Sequence, residues 1–209
     1  MTQPEKVSTI SNSSVRKIPV RIAHVMGKTH NGGVEAAVMN YYRNIDRTKI
    51  QYDFIIDSDS SNTVLQDEIE SLGGKVITIP PYQKPIAYHK ALYKLFTENN
   101  YPLVYSHLNT LSVFPLFAAW RAGIPIRVAH NHSTAGKGEF KRNMMKYMLR
   151  PFAKIFPTHL CACSEYAGRW LFGKRAMDSG RVRVWPNAID TERSPTVRKS
   201  AMRPGNISS

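Results

Sequence analysis

"VRIAHVMGKTHNGGVEAAVMNYYRNI", residues 20–45, joins a short β-branched run to a helical pattern through a stretch holding two adjacent glycines. "VRIAHVM" (20–26) is an apolar run bounded by polar residues and predicts a strand. In "VEAAVMNYYRNI" (34–45), Val34, Ala37, Val38, Tyr41, Tyr42 and Ile45 recur at helical spacing. A strand that feeds a helix through a glycine turn is the first half of a β-α-β unit. Glycine permits positive φ and close approach of other groups to the backbone. The helix beyond it offers free N–H groups and the positive end of its dipole. Gly32 and Gly33 are therefore candidates for an anion site, such as one for a phosphate. The spacing is neither G-x-G-x-x-G nor the Walker pattern, so dinucleotide and P-loop readings lose support. A plain turn explains the glycines equally, and Glu35 in the first helical turn favours the dipole in either case.

The same alternation continues outward. Strands are predicted at 52–57, 75–80, 102–107, 124–130 and 158–164, and a last strand and turn at 181–190. Helices are predicted at 63–74, 86–100 and 111–123, from about 140, and at 165–173. This order implies an α/β fold: a Rossmann-like, doubly wound, mostly parallel sheet with helices on both faces. Residues 1–18 read as a polar leader without the apolar centre of a signal peptide. Residues 19–190 read as one domain, and residues 191–209 as a polar, disordered tail. There is no internal repeat.

Composition bounds the function. Lys and Arg number 29 against 15 Asp and Glu, a net charge of +14. That balance attracts polyanions: nucleic acid, anionic lipid or phosphorylated substrates. A basic solvated surface accounts for it too. No groove-reading helix or RNA-stacking signature accompanies the charge, so no nucleic-acid partner is expected. No run of 18 or more apolar residues suggests a membrane-spanning helix. Cys161 and Cys163 lie two residues apart in one short apolar stretch, where a disulfide between them is not expected, and a reducing, cytoplasmic setting fits.

Strand ends carry the remaining candidates. His107 closes "PLVYSH", and His130 and His132 follow "IPIRVA". In open α/β sheets ligands gather at the carboxyl ends of strands, so these histidines and the Gly32–Gly33 turn are expected at one crevice. Each histidine taken singly fits a strand cap or a local hydrogen bond. His-x-His without a third ligand at a clear spacing is weak evidence for zinc, and no metal site is expected. Ser164 follows a strand as an N-cap near the crevice rim, and Glu165 and Arg169 are spaced for an i, i+4 pair. Between 140 and 156, Phe140, Met144, Met148 and Phe152 recur every four residues, as do Arg142, Lys146, Arg150 and Lys154 one strip over. That basic amphipathic stretch suits an anionic membrane surface, or simply a domain helix with a solvated basic face. Pro151 breaks or kinks it.

"RIAHVMGKTHNGGVEAAVMNYYRNID", "YSHLNTLSVFPLFAAWRAGIPIRVAHNHST", "CSEYAGRWLFG" and "NAID" together resemble the N-terminal domain of family 4 retaining glycosyltransferases, notably bacterial enzymes of exopolysaccharide or capsular polysaccharide synthesis. The resemblance covers residues 19 to 190. It implies the GT-B architecture, two Rossmann-like domains facing across a cleft, with this domain taking mainly the acceptor. By resemblance Gly32 and Gly33 meet the donor phosphate or the acceptor, and one of His130 and His132 contacts the transferred sugar as the catalytic histidine. Glu35, His107, Asn109, Ser164 and Glu165 stand with them as substrate-binding candidates, and residues 187–190 match the turn that opens the second domain. The resemblance implies no cofactor beyond the nucleotide-sugar donor as substrate, and a glycan or lipid-linked acceptor. A donor-binding domain is expected after "NAID", so the chain reads as a truncated enzyme, inactive alone. The alternative is a non-catalytic acceptor or membrane module working with a separate donor domain on the inner face of the plasma membrane.

Overall fold

A computed structural model describes residues 18–27, 32–57, 65–134 and 140–187. The leader read at residues 1–18, apart from Ile18, lies outside them, as do the tail at 191–209 and the "NAID" turn beyond Asn187.

Seven strands form one parallel sheet: β1 (Val20–Val25), β2 (Ile50–Asp57), β3 (Lys75–Ile79), β4 (Leu103–Ser106), β5 (Ile126–Asn131), β6 (His159–Ala162) and β7 (Val182–Val184). Their order is β3-β2-β1-β4-β5-β6-β7. The chain builds outward from β1 to one edge and then returns to the other side of β1. The strand order therefore reverses between β1 and β4, where Val25 pairs with Ser106. Crossovers on opposite sides of such a point leave a crevice beyond the strand ends.

The helices are α1 (Gly33–Asn44), α2 (Gln66–Ser71), α3 (Pro85–Asn99), α4 (Val113–Arg121), α5 (Phe140–Leu149), α6 (Glu165–Phe172) and α7 (Lys174–Asp178). The alternation of each strand divides the core. Ala23, Val25, Ile55, Val104, Ala129, Leu160 and Val182 pack with Leu92, Phe96, Leu116 and Leu171 of α3, α4 and α6. On the opposite side Phe54 meets Val38, Met39 and Tyr42 of α1 and Ile69 of α2.

Local chemistry sets the boundaries. Ser164 caps α6 as its position after β6 predicts, its hydroxyl accepting from the Ala167 N–H at 3.2 Å. Pro85 opens α3, and Asn100, left-handed at φ 48°, closes it. Pro151 has the expected effect: α5 ends at Leu149 and the chain tightens into a 3-10 turn, Arg150–Lys154. The predicted helix at 63–74 is shorter where described, Gln66–Ser71. Helix α7 was not anticipated between the glycine stop at 173 and β7. Its five residues are too few to show a period. Both cysteines are free thiols.

Candidate functional site

The ends of β1, β2 and β4 open into a cleft of about 490 Å³ at the strand-order reversal. Gly27, Gly32, Gly33, Glu35, Asp57, His107, Asn109 and Lys146 line it, with apolar contributions from Met26, Leu108 and Met145.

Each wall follows from its backbone. Gly27 leaves β1 at φ 76°, where a Cβ would meet Leu108 Cδ2 at 2.6 Å, so the turn and the floor both require glycine. The diglycine works differently. Gly32 has φ −83°, and Gly33 is the first residue of α1, so neither needs a left-handed conformation. Close approach is the operative property: a Cβ at Gly32 would lie 2.8 Å from Glu35 Oε2, whereas one at Gly33 would meet nothing within 4 Å. The Glu35 carboxylate, buried, thus folds over Gly32 at the amino end of α1, where the dipole favours a negative charge. The turn's positive end faces a carboxylate of its own chain.

His107 joins a line of imidazoles. His132 Nδ1 lies 3.0 Å from Asn187 Oδ1, an acceptor, so that nitrogen carries the proton. His132 Nε2 is then the acceptor for His107 Nδ1–H at 2.9 Å, and His107 Nε2 the acceptor for His24 Nδ1–H at 3.0 Å. One consistent set of neutral tautomers runs from β1 through β4 and β5 to Asn187. Burial holds the group neutral. It pushes His24 down to about 3 and also lowers His107, which its histidine neighbours depress further. His132 is lowered by burial, against the opposing bond to Asn187.

His130 lies beside this line. Its ring stacks on His132 with centroids 3.9 Å apart, and its Nδ1 lies 3.0 Å from the Tyr105 hydroxyl. Its Nε2 is buried with no hydrogen-bond partner. Burial lowers His130 to about 3.

Asn109 occupies a left-handed conformation, φ 54°, which asparagine tolerates. Its Oδ1 accepts from the His132 backbone N–H at 2.7 Å, and its Nδ2 donates to Ser133 Oγ at 3.1 Å. It clamps the end of β5 while presenting its flank to the cleft.

Gly32, Gly33, Glu35, His107 and Asn109 therefore meet at one cleft. His130 and His132 stand behind His107 and do not line it. Nor do Ser164, whose hydroxyl caps α6, and Glu165, whose carboxylate faces Arg169 at 3.8 Å. Of the basic row, Lys146 turns into the cleft, its Nζ donating to Thr134 O at 3.3 Å, while Lys154 is exposed. The side chain of Arg142 lies outside the described residues. Sequence reasoning missed His24, Gly27, Asp57 and Tyr105. Asp57 ends β2 and carried the same strand-end signal as His107. His24 sits inside a strand, where nothing in the spacing separates it from a core residue.

The family model described as Glycosyltransferase Family 4 matches residues 31–193. EpsF of Bacillus subtilis (strain 168), named as a glycosyltransferase, is 36% identical over 177 residues, 82% of this chain and 46% of its own length. Among solved structures, HepE of Anabaena in complex with UDP and glucose superposes with a TM-score of 0.60 at 18% identity, covering 87% of this chain and 50% of that one. UDP-GlcNAc 2-epimerase from Neisseria meningitidis bound to UDP-GlcNAc gives 0.59 at 14% identity, covering 87% and 52%. These two likenesses show the fold alone. The chain spans about half the length of the relatives it matches.

Proposed function

The chain belongs to glycosyltransferase family 4, and from that membership we propose that it supplies the acceptor-facing side of an enzyme that moves a sugar from a nucleotide-sugar to a glycan or lipid-linked acceptor in exopolysaccharide synthesis. The observation that carries this reading is the make-up of the cleft. Among the described residues lining it, Lys146 is the only cation, set against the carboxylates of Glu35 and Asp57. A diphosphate needs several donors and cations. Carboxylates and Asn109 suit the hydroxyl groups of a sugar, accepting or donating directed hydrogen bonds. On this reading the nucleotide diphosphate is met by groups other than those described. Asn109 and the Glu35 and Asp57 carboxylates orient an acceptor hydroxyl toward the sugar carbon under attack, while His107, both ring nitrogens engaged by His24 and His132, shapes the cleft wall.

The test is calorimetric titration of the chain with exopolysaccharide-derived oligosaccharides and, separately, with UDP-glucose. Oligosaccharide binding that disappears in Gly33→Trp, with UDP-glucose at least tenfold weaker, supports the acceptor reading. The opposite preference overturns it.

A second element of the proposal concerns location. Met144, Met148, Phe152 and Ile155 are exposed on α5 and the turn after it, and Tyr147 joins them. Arg150 and Lys154 flank them. An apolar surface rimmed by cations fits peripheral docking on an anionic membrane, where a lipid-linked acceptor resides. No helix among the described residues is long and apolar enough to cross a membrane.

A further inference from the structure

The three histidines behind the cleft are arranged as ligands are. One ring nitrogen each of His107, His130 and His132 lies within 4.8 Å of the others. His-x-His on β5 lacked a third partner in the sequence; β4 supplies it 23 residues earlier, through parallel pairing of the two strands. The outward nitrogens are the more telling observation. His107 Nε2 meets His24 Nδ1 at 3.0 Å, His132 Nδ1 meets Asn187 Oδ1 at 3.0 Å, and His130 Nδ1 meets the Tyr105 hydroxyl at 3.0 Å. A metal-bound imidazole almost always uses its second nitrogen in this way, donating to an outer group that fixes tautomer and ring orientation. Here His132 donates to Asn187, the outer nitrogens of His107 and His130 have partners that admit the same direction after a tautomer shift, and His130 keeps its other nitrogen, Nε2, buried and without a hydrogen bond on a residue only 4% exposed.

We propose that His107, His130 and His132 bind one divalent transition-metal ion of the imidazole-preferring class, zinc foremost. Imidazole suits zinc, nickel and copper, whereas magnesium and calcium select oxygen ligands, which this cluster lacks. The ion enters on lone pairs. His107 Nδ1 yields its proton by shifting tautomer to Nε2–H, which then donates to His24 Nδ1, and His24 moves its own proton to Nε2. His132 keeps Nδ1–H on Asn187 throughout, and His130 places Nδ1–H on the Tyr105 oxygen. No proton leaves the protein. Zinc–nitrogen bonds of about 2.0–2.1 Å set ligand nitrogens roughly 3.4 Å apart in a tetrahedral site. The His107–His132 pair, now at 2.9 Å, opens slightly, and no ligand pair starts more than 4.8 Å apart. The remaining coordination position is left to water. The ion ties the tips of β4 and β5 to the segment after β7 through Asn187.

The inference is independent of the sugar-transfer reading, since binding is measured with no sugar present. Tag-free protein is stripped with a chelator, dialysed, and titrated with zinc chloride and with magnesium chloride, and its Tm is followed in each. One zinc per chain, no magnesium binding and a zinc-dependent rise in Tm are expected. His130→Ala and His132→Ala each weaken zinc at least tenfold. Tyr105→Phe retains every ligand and removes one outer partner, so it weakens zinc by about tenfold while circular dichroism stays unchanged. His159→Ala, at an exposed histidine at the opposite end of β6, binds as the parent does. Absence of saturable zinc binding, or parental affinity in both His130→Ala and Tyr105→Phe, overturns the site.

Discussion

His107 Nδ1 and His132 Nε2 stand 2.9 Å apart, a contact that requires one lone pair facing one N–H and therefore a neutral ring on the accepting side. A proton added to that ring sets two N–H groups against each other in a buried place. The folded protein refuses such protons until far below the ordinary histidine range, while the unfolded chain takes them near its usual value of 6.5. As pH falls below 6.5 the unfolded state thus binds more protons, and stability drops. Above 6.5 neither state is protonated and these groups contribute no slope. In chelator, the urea midpoint is expected to be flat at neutral and mildly alkaline pH and to fall steadily from about 6.5 downward. His24→Asn removes one proton from this difference, which flattens the fall by up to about 1.4 kcal/mol per pH unit. A midpoint that is flat down to pH 5, or equal slopes for both proteins, contradicts the neutral relay.

The glycines of the cleft make opposite predictions. Gly27→Ala forces a side chain into a left-handed turn and onto Leu108, so a loss of about 1–3 kcal/mol is expected. Gly33→Ala starts a helix in open space. It gains roughly 0.4–1 kcal/mol, because the unfolded chain loses freedom and the folded one loses nothing. Thermal unfolding of the two variants reads the difference directly. A Gly33→Ala variant less stable than the parent indicates that this turn closes more tightly than its surroundings show.

Arg21 of β1 and Asp53 of β2 form a largely enclosed ion pair. Arg21 Nε donates to Asp53 Oδ1 at 2.7 Å, and the Tyr101 hydroxyl donates to Asp53 Oδ2 at 2.6 Å. Asp53 is almost wholly buried, whereas a quarter of the Arg21 side chain reaches solvent. Removing the cation strands a buried carboxylate, and Arg21→Met is expected to cost about 3 kcal/mol in urea unfolding. Arg21→Met with Asp53→Leu relieves that charge and recovers part of the loss. A double variant no better than the single one shows that packing, not charge, sets the cost.

The succession of strands and helices along the chain, α7 excepted, was legible in the sequence because nearly every element carries its own signal. "VRIAHVM" is apolar and β-branched, "VEAAVMNYYRNI" repeats at helical spacing, and glycine or proline marks the joints. The cleft was legible as far as strand ends reach: Gly32, His107 and Asn109 all follow a strand. What pairing does across the sheet was not. His24 looks like any interior strand residue until β1 and β4 align, and the fold of Glu35 over Gly32 needs the helix's entry angle. Lys146 recurs with the basic row yet turns inward, because a helix end placed over the strand tips presents one side of that row to the cleft.

The remaining members of that row bear on membrane docking. Met148 and Phe152 are 66% and 49% exposed, a costly display of apolar surface unless something covers it. Lys154 is exposed beside them, while the Arg150 guanidinium lies over the Trp170 ring at 5.7 Å and is partly engaged. Sedimentation with vesicles of anionic lipid is expected to carry down the parent protein, and vesicles of neutral lipid to leave it in solution. Lys154→Ala removes about 1 kcal/mol of attraction, a roughly fivefold weaker partition that vanishes at high salt. Met148→Ser with Phe152→Ser removes the inserted surface instead, so its loss persists at high salt, where the hydrophobic part of binding remains. If the double serine variant and the parent sediment alike, the apolar face of α5 is not what meets the lipid, and charge alone carries the attraction.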